Sequence, residues 1–137
     1  MGRRAVMNLL LDTHIWIWLI LEPTRLARRV ARALDDPENQ LWISPVSVWE
    51  LLMLSRKQRI RLNEDPVSWA RRMIEKLALH EAALTTEVAF ESESLGLEHS
   101  DPADRWLAAS AKVYNLTLVT GDKKLIGAPG IKVLANR

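Results

Sequence analysis

Two short apolar runs end at acidic residues. Asn8-Leu9-Leu10-Leu11 runs directly into Asp12, and Leu116-Thr117-Leu118-Val119-Thr120 is closed by Gly121-Asp122. Runs of this kind suit strands buried on both faces of a parallel sheet. Ligands of such sheets sit beyond the carboxyl ends of the strands, near the switch in strand order. That rule brings Asp12 and Asp122 to one edge although 110 residues separate them. Two further acids are candidates for the same edge. Glu50 lies within Val46-Ser47-Val48-Trp49-Glu50-Leu51-Leu52, and Asp104 follows Asp101-Pro102-Ala103. Each has a plainer reading. Asp12 and Asp122 can form turns or cap helices, Glu50 can be solvated or complete a capping box with Ser47, and Asp104 can oppose a helix dipole. Four carboxylates converging without basic partners would repel, and their pKa values would rise. A hard divalent cation relieves that conflict, because Mg²⁺ and Mn²⁺ take oxygen ligands and bridge to phosphates. The chemistry such a set suits is metal-assisted phosphodiester hydrolysis.

The elements that must position these acids can be read from periodicity and punctuation. After the first strand, Ile15, Trp16, Trp18 and Leu19 suit a short helix from Thr13 to near Pro23. Thr24 is expected to cap the next helix, whose apolar stripe is Leu26, Val30, Ala33 and Leu34. Arg25, Arg28, Arg29 and Arg32 fall on another face of it. Leu41-Trp42-Ile43 reads as a second strand. Ser44-Pro45, Asp65-Pro66 and Asp101-Pro102 are three cap-then-proline helix starts. The first of these helices is expected to reach about Arg59, the second to include Leu77, and the third to end at Tyr114. Leu77-Ala78-Leu79 is expected to be a brief strand, residues 86–95 a short helix ended by Gly96, and Ile131–Leu134 the last strand. Strands alternating with helices predict an α/β fold: a three-layer α/β/α sandwich around a short-stranded parallel sheet.

Composition bounds the function. At 137 residues, 48% hydrophobic and 26% charged, the chain fits one domain over 1–137, with 1–6 as a dispensable extension ahead of Met7. A domain of this size buries roughly 70% of its unfolded surface and needs no staples. The absence of cysteine excludes a disulfide scaffold, a cysteine nucleophile and thiolate metal sites. Arg3 and Arg4 precede an apolar run, but Asp12 and His14 interrupt it, which argues against a signal peptide or membrane span. The expectation is a soluble, cytoplasmic protein. Net charge is only +2, but 13 of the 19 basic residues are arginine, whose planar fork suits phosphate.

Four motifs occur in order: Leu9-Leu10-Leu11-Asp12-Thr13-His14, Ser47-Val48-Trp49-Glu50-Leu51, His99-Ser100-Asp101-Pro102-Ala103-Asp104-Arg105, and Val119-Thr120-Gly121-Asp122. In this the chain resembles PIN-domain proteins of the VapC type, the toxin halves of bacterial and archaeal toxin–antitoxin pairs, from about Met7 to Leu134. The resemblance implies a PIN-like sandwich and a Mg²⁺- or Mn²⁺-dependent endoribonuclease holding one or two ions on Asp12, Glu50, Asp104 and Asp122. It gives Thr13 and Thr120 supporting roles. It also implies RNA as substrate, a homodimer, and a small VapB-like antitoxin whose C-terminal segment masks the acidic cleft. Two departures stand out. Arg56-Lys57-Gln58-Arg59-Ile60-Arg61 replaces the glycine-lysine turn of many relatives, and Ala103 stands where an aromatic residue is common.

Around this core, Asp101 and Arg105 are supporting candidates, as helix cap and as a tether or neutraliser. Arg25, Arg28, Arg29, Arg32, Arg56, Lys57 and Arg59 are candidates to bind RNA or a partner, the alternative being solvated faces. His14 and His99 adjoin the motifs, whereas His80 reads as structural. Of the six tryptophans, Trp16 and Trp18 cannot both face inward from one helix, which leaves one for an interface. Two rivals remain at this point. An aspartyl-phosphate phosphatase needs a second acid two residues after Asp12, where His14 stands. A non-catalytic RNA- or protein-binding PIN-like module would use the arginines alone.

Overall fold

The computed structural model describes residues 5–97 and 101–137, so the predicted roles of residues 1–4 and His99 lie outside the described residues. Five strands, β1 (Asn8–Leu11), β2 (Gln40–Ile43), β3 (His80–Glu81), β4 (Thr117–Thr120) and β5 (Lys132–Ala135), form one sheet in the order β3-β2-β1-β4-β5. All four pairings are parallel, with Leu9 in register with Leu41 on one side and Thr117 on the other. Parallel neighbours require crossovers, and helices supply them. They are α1 (Thr13–Leu21), α2 (Arg28–Asp35), α3 (Pro45–Arg56), α4 (Pro66–Lys76), α5 (Thr86–Ser94), α6 (Pro102–Val113) and α7 (Lys123–Ile126).

Alternation along the strands sorts the core into two halves, because successive side chains leave a strand on opposite faces. Leu9, Leu11, Leu41, Ile43 and Val119 pack with Ile15, Trp16, Val30, Leu51, Trp69 and Met73, the buried stripes of α1 to α4. Leu10 and Leu118 pack on the other face with Val88, Leu107, Ala108, Ala111 and Leu125 of α5, α6 and α7. The result is the α/β/α sandwich expected from the pattern.

The strand order places the switch point between β1 and β4. The chain leaves β1 toward β2 and β3, then returns across β1 to build β4 and β5 on its other side. Helix starts follow the cap chemistry. Asp12 Oδ1 accepts from Ile15 N, Ser44 Oγ from Val46 N, Asp65 Oδ2 from Ser68 N and Asp101 Oδ1 from Ala103 N. Helix ends were less legible. α3, α4 and α6 stop at Gln58, Ala78 and Asn115, all with positive φ, and Arg59, Leu79 and Leu116 donate back to Leu54, Ile74 and Ala111 carbonyls. These are left-handed helix stops of the Schellman kind built without glycine.

Three expectations are corrected. Thr24 does not cap α2; Pro23–Arg25 is a 3-10 turn, and α2 begins after Ala27. Arg25 therefore leaves the arginine face, which keeps Arg28, Arg29 and Arg32. The third strand is His80–Glu81, because the left-handed Ala78 ends α4 just before it. Finally, α3 ends at Arg56, since Gln58 breaks the helix. Among the described residues, no helix is long and apolar enough to cross a membrane.

Candidate active site

The carboxyl ends of β1 and β4 open into a cleft of about 490 Å³ lined by Asp12, Glu50, Asp101, Asp104 and Asp122, together with Thr13, His14 and Trp18. Leu107, Gly121 and Asn136 complete its walls. Among the described residues, no lysine or arginine lines it. Asp12 arrives from β1, Glu50 from the middle of α3, Asp104 from the first turn of α6, and Asp122 from the loop after β4. All four acids picked out by spacing therefore meet at the switch point.

The acids are held by a short polar chain. Thr120, fully buried, donates its hydroxyl to Asp12 Oδ2 and accepts from the Asp122 backbone N–H at 3.0 Å. One threonine thus ties the two strand ends together. Asp12 uses its other oxygen to cap α1, and its N–H donates to Val119 O. Thr13, also buried, donates to Glu50 Oε1 at 2.5 Å and lies 3.0 Å from Ser47 Oγ. Glu50 is therefore oriented toward α1 and is no capping-box partner of Ser47, because Ser44 caps that helix. Asp122 caps α7 through Lys124 N, and Asp101 caps α6.

Electrostatics follow from this crowding. Burial pushes the Asp12 carboxyl above its ordinary value, against the lowering effect of the Thr120 and Ile15 bonds. Asp104 is pushed up to about 7, first by burial and then by the negative charges of Asp122, Asp101 and Glu50. Hydrogen bonding toward Asp122 adds to the rise by favouring the protonated form of Asp104. Arg105 does not neutralise the cleft; it reaches away to Glu93 of α5 at 3.2 Å and so tethers α6 to α5. Among the described residues, no three His, Asp or Glu side chains stand close enough together to form a ready cation cage.

The remaining predicted residues divide. His14 stands exposed at the cleft rim and packs on Trp18, while His80 packs on Trp42 away from the site. Trp16 is fully buried against Trp69, and Trp18 is the half-exposed member of that pair. Arg28, Arg29 and Arg32 lie on α2, outside the cleft, with Arg29 donating to Ala135 O. Arg25 and Arg59 line a separate groove, whereas Arg56 and Lys57 are exposed at the end of α3. Asn136 was missed. Its side chain accepts from Ala27 N at 2.6 Å and donates to Arg25 O at 3.2 Å, pinning the 3-10 turn beside the cleft. Its position just after the last strand, on the same sheet edge as Asp12 and Asp122, was the available signal.

A short parallel sheet with acids gathered at its switch point defines the class, and residues 9–130 match the PIN domain family; the chain belongs to that family. Ribonuclease VapC22 of Mycobacterium tuberculosis is 32% identical over 121 residues, spanning 86% of this chain and 89% of the relative. The chain is thus homologous to VapC proteins of toxin–antitoxin systems. DNA-bound VapBC from Salmonella typhimurium shares the fold, with a TM-score of 0.74, 18% identity and coverage of 96% of this chain and 100% of that one. VapBC2 from Rickettsia felis, bound to a promoter DNA fragment, does so with a TM-score of 0.72, 20% identity and coverage of 94% and 98%.

Proposed function

We propose that the chain is a divalent-metal-dependent endoribonuclease, the toxin of a toxin–antitoxin pair, and that Asp12, Glu50, Asp104 and Asp122 hold Mg²⁺ or Mn²⁺. The observation that carries this reading is the gathering of five carboxylates in one cleft with no lysine or arginine among its described walls. The donor set fits such an ion: every ligand is a hard oxygen, and the Asp104 carboxyl is pushed up to about 7 by burial and then by the neighbouring acids. The related ribonuclease supports the substrate class.

When bound, a hard cation supplies Lewis-acid polarisation of a phosphoryl oxygen and a nucleophile at neutral pH. The protein's part is orientation and proton handling. Thr120 keeps Asp12 from rotating by its hydroxyl bond, and Thr13 does the same for Glu50. The Asp104 carboxyl is raised to about 7, and a positive charge held beside it would favour release of its proton. Attack by water at phosphorus leaves 5′-phosphate and 3′-hydroxyl ends and needs no ribose 2′-hydroxyl. The cognate partner on this reading is a small VapB-like antitoxin, and the active unit is a homodimer.

The test is incubation of purified protein with cellular RNA in Mn²⁺, in Mg²⁺ and in EDTA, beside Asp12→Asn and Asp104→Asn. Cleavage confined to the metal-containing wild type is expected. Equal cleavage by either folded variant, or by the wild type in EDTA, overturns the assignment.

A further inference from the structure

The acidic cleft has a basic neighbour. A second groove, about 600 Å³ in volume, lies along α1, and its walls include Arg25, Arg59 and Arg61; Glu22, the one acid among its described walls, pairs with Arg25 at 3.3 Å across an exposed contact that a phosphate can displace. His14 and Trp18 line both spaces, so the two grooves meet at a histidine–tryptophan saddle whose rings sit 5.7 Å apart. Both sides of the basic groove are held in place. On one, the Arg25 guanidinium lies 4.4 Å over the Trp18 ring, and Asn136 fixes the 3-10 turn that carries it. On the other, the left-handed stop at Gln58 turns the chain off α3, and the Arg59 N–H closes that turn on Leu54 O at 2.9 Å. This is the segment where the sequence departs from the glycine-lysine turn.

The geometry points to this groove as a subsite for the backbone of single-stranded RNA next to the cut bond, with Arg25, Arg59 and Arg61 taking flanking phosphates. The inference rests on the nuclease reading and extends it from the cut phosphate to its neighbours. Two features select a phosphodiester chain over an acidic peptide. A ligand crossing the saddle passes from three guanidiniums into a cleft of carboxylates, which repels a chain of side-chain acids but admits a phosphate once a cation is held there. The saddle also offers aromatic faces, and bases stack on such faces without regard to sequence. Guanidinium forks match phosphate oxygens in pairs, which the lysine of the usual turn does not.

The test is binding of a fluorescein-labelled single-stranded RNA oligonucleotide in Ca²⁺, which supplies the cleft with a cation, across a series of salt concentrations, with the oligonucleotide checked on a gel for intactness. Wild type is compared with the double variant Arg59→Gln/Arg61→Gln and with the triple variant that adds Arg25→Gln. All three arginines are exposed, so thermal melts should show folded variants, and the double variant leaves the Arg25–Trp18 contact intact. Each phosphate contact on a single strand contributes roughly 0.7 to the slope of log affinity against log salt. The slope should fall by about 1.4 in the double variant and about 2 in the triple variant, with affinity at low salt several-fold weaker or worse. Slopes that superimpose on the wild type, or no RNA binding by the wild type, overturn the subsite. So does displacement of RNA by a polyglutamate peptide more effectively than by unlabelled RNA of equal length. Arginine-dependent binding by a wild type that never cuts RNA in Mn²⁺ supports the groove and removes the nuclease reading. Cutting with arginine-independent binding does the reverse.

Discussion

Replacing Asp104 with asparagine should stabilise the metal-free protein while abolishing its function. The carboxyl titrates at about 7 instead of its ordinary 3.8, so near pH 8 the folded state carries a charge that its surroundings disfavour. At about 1.4 kcal/mol per pKa unit the shift has a ceiling of roughly 4 kcal/mol. Asp104 is only half-buried, and solvent screening reduces the expected gain to about 1 kcal/mol. Asparagine has the same shape and can still donate to Asp122. For a domain of this size, about 1 kcal/mol corresponds to a rise of roughly 3–4 °C in Tm. The sign depends on pH. The folded pKa is raised, so the burden is present above about 7 and absent below the unfolded value near 3.8. Asp104→Asn should therefore melt higher than wild type at pH 8 in EDTA and equal to it near pH 4. Adding Mn²⁺ should raise the wild-type Tm and leave the variant nearly unmoved. A variant that melts lower than wild type at pH 8 would refute the repulsion argument.

The same linkage governs the wild type, because Asp12 and Asp104 are both raised. Metal-free stability, read as a urea midpoint, should decline as pH rises from about 4.5 through 7; Glu91, held low by Lys112, acts below that window. A midpoint that climbs across the window would contradict the charge assignment. Thr120→Val leaves Asp12 Oδ2 and the Asp122 N–H without their shared partner, and should cost about 2 kcal/mol at unchanged urea m-value. Ala78→Gly relieves a φ of 51° at the end of α4 and should stabilise by about 0.5–1 kcal/mol in the same assay. A lower midpoint for that variant would show that the left-handed turn carries little strain.

What could be read in advance depended on how local the cause was. The strands ending at Asp12 and Thr120 announced themselves because continuous burial leaves a continuous apolar run, and parallel order then brought their acids together. Ser44, Asp65 and Asp101 marked helix starts because each is followed by a proline that fits the first helical position. The failures were nonlocal or unusual. Ala27 precedes α2 with no side chain to advertise a cap, its N–H being satisfied by Asn136, 109 residues away. Gln58 and Ala78 adopt a conformation that glycine usually signals, so the ends of α3 and α4 were overrun or displaced. Arg105 could not be assigned from its place beside Asp104, since its partner Glu93 belongs to the preceding helix. Arg25 looked like a member of a helical stripe until the 3-10 turn carried it to the other groove.

The central claim is that the acids at the switch point hold a divalent cation. Anomalous diffraction from a crystal of the wild-type protein soaked in Mn²⁺ tests it most directly. The account predicts a manganese peak in the cleft within ligand distance of Asp12 and Asp104, lost in Asp104→Asn. A cleft without a peak at saturating Mn²⁺, or a peak only at unrelated surface acids, would contradict it.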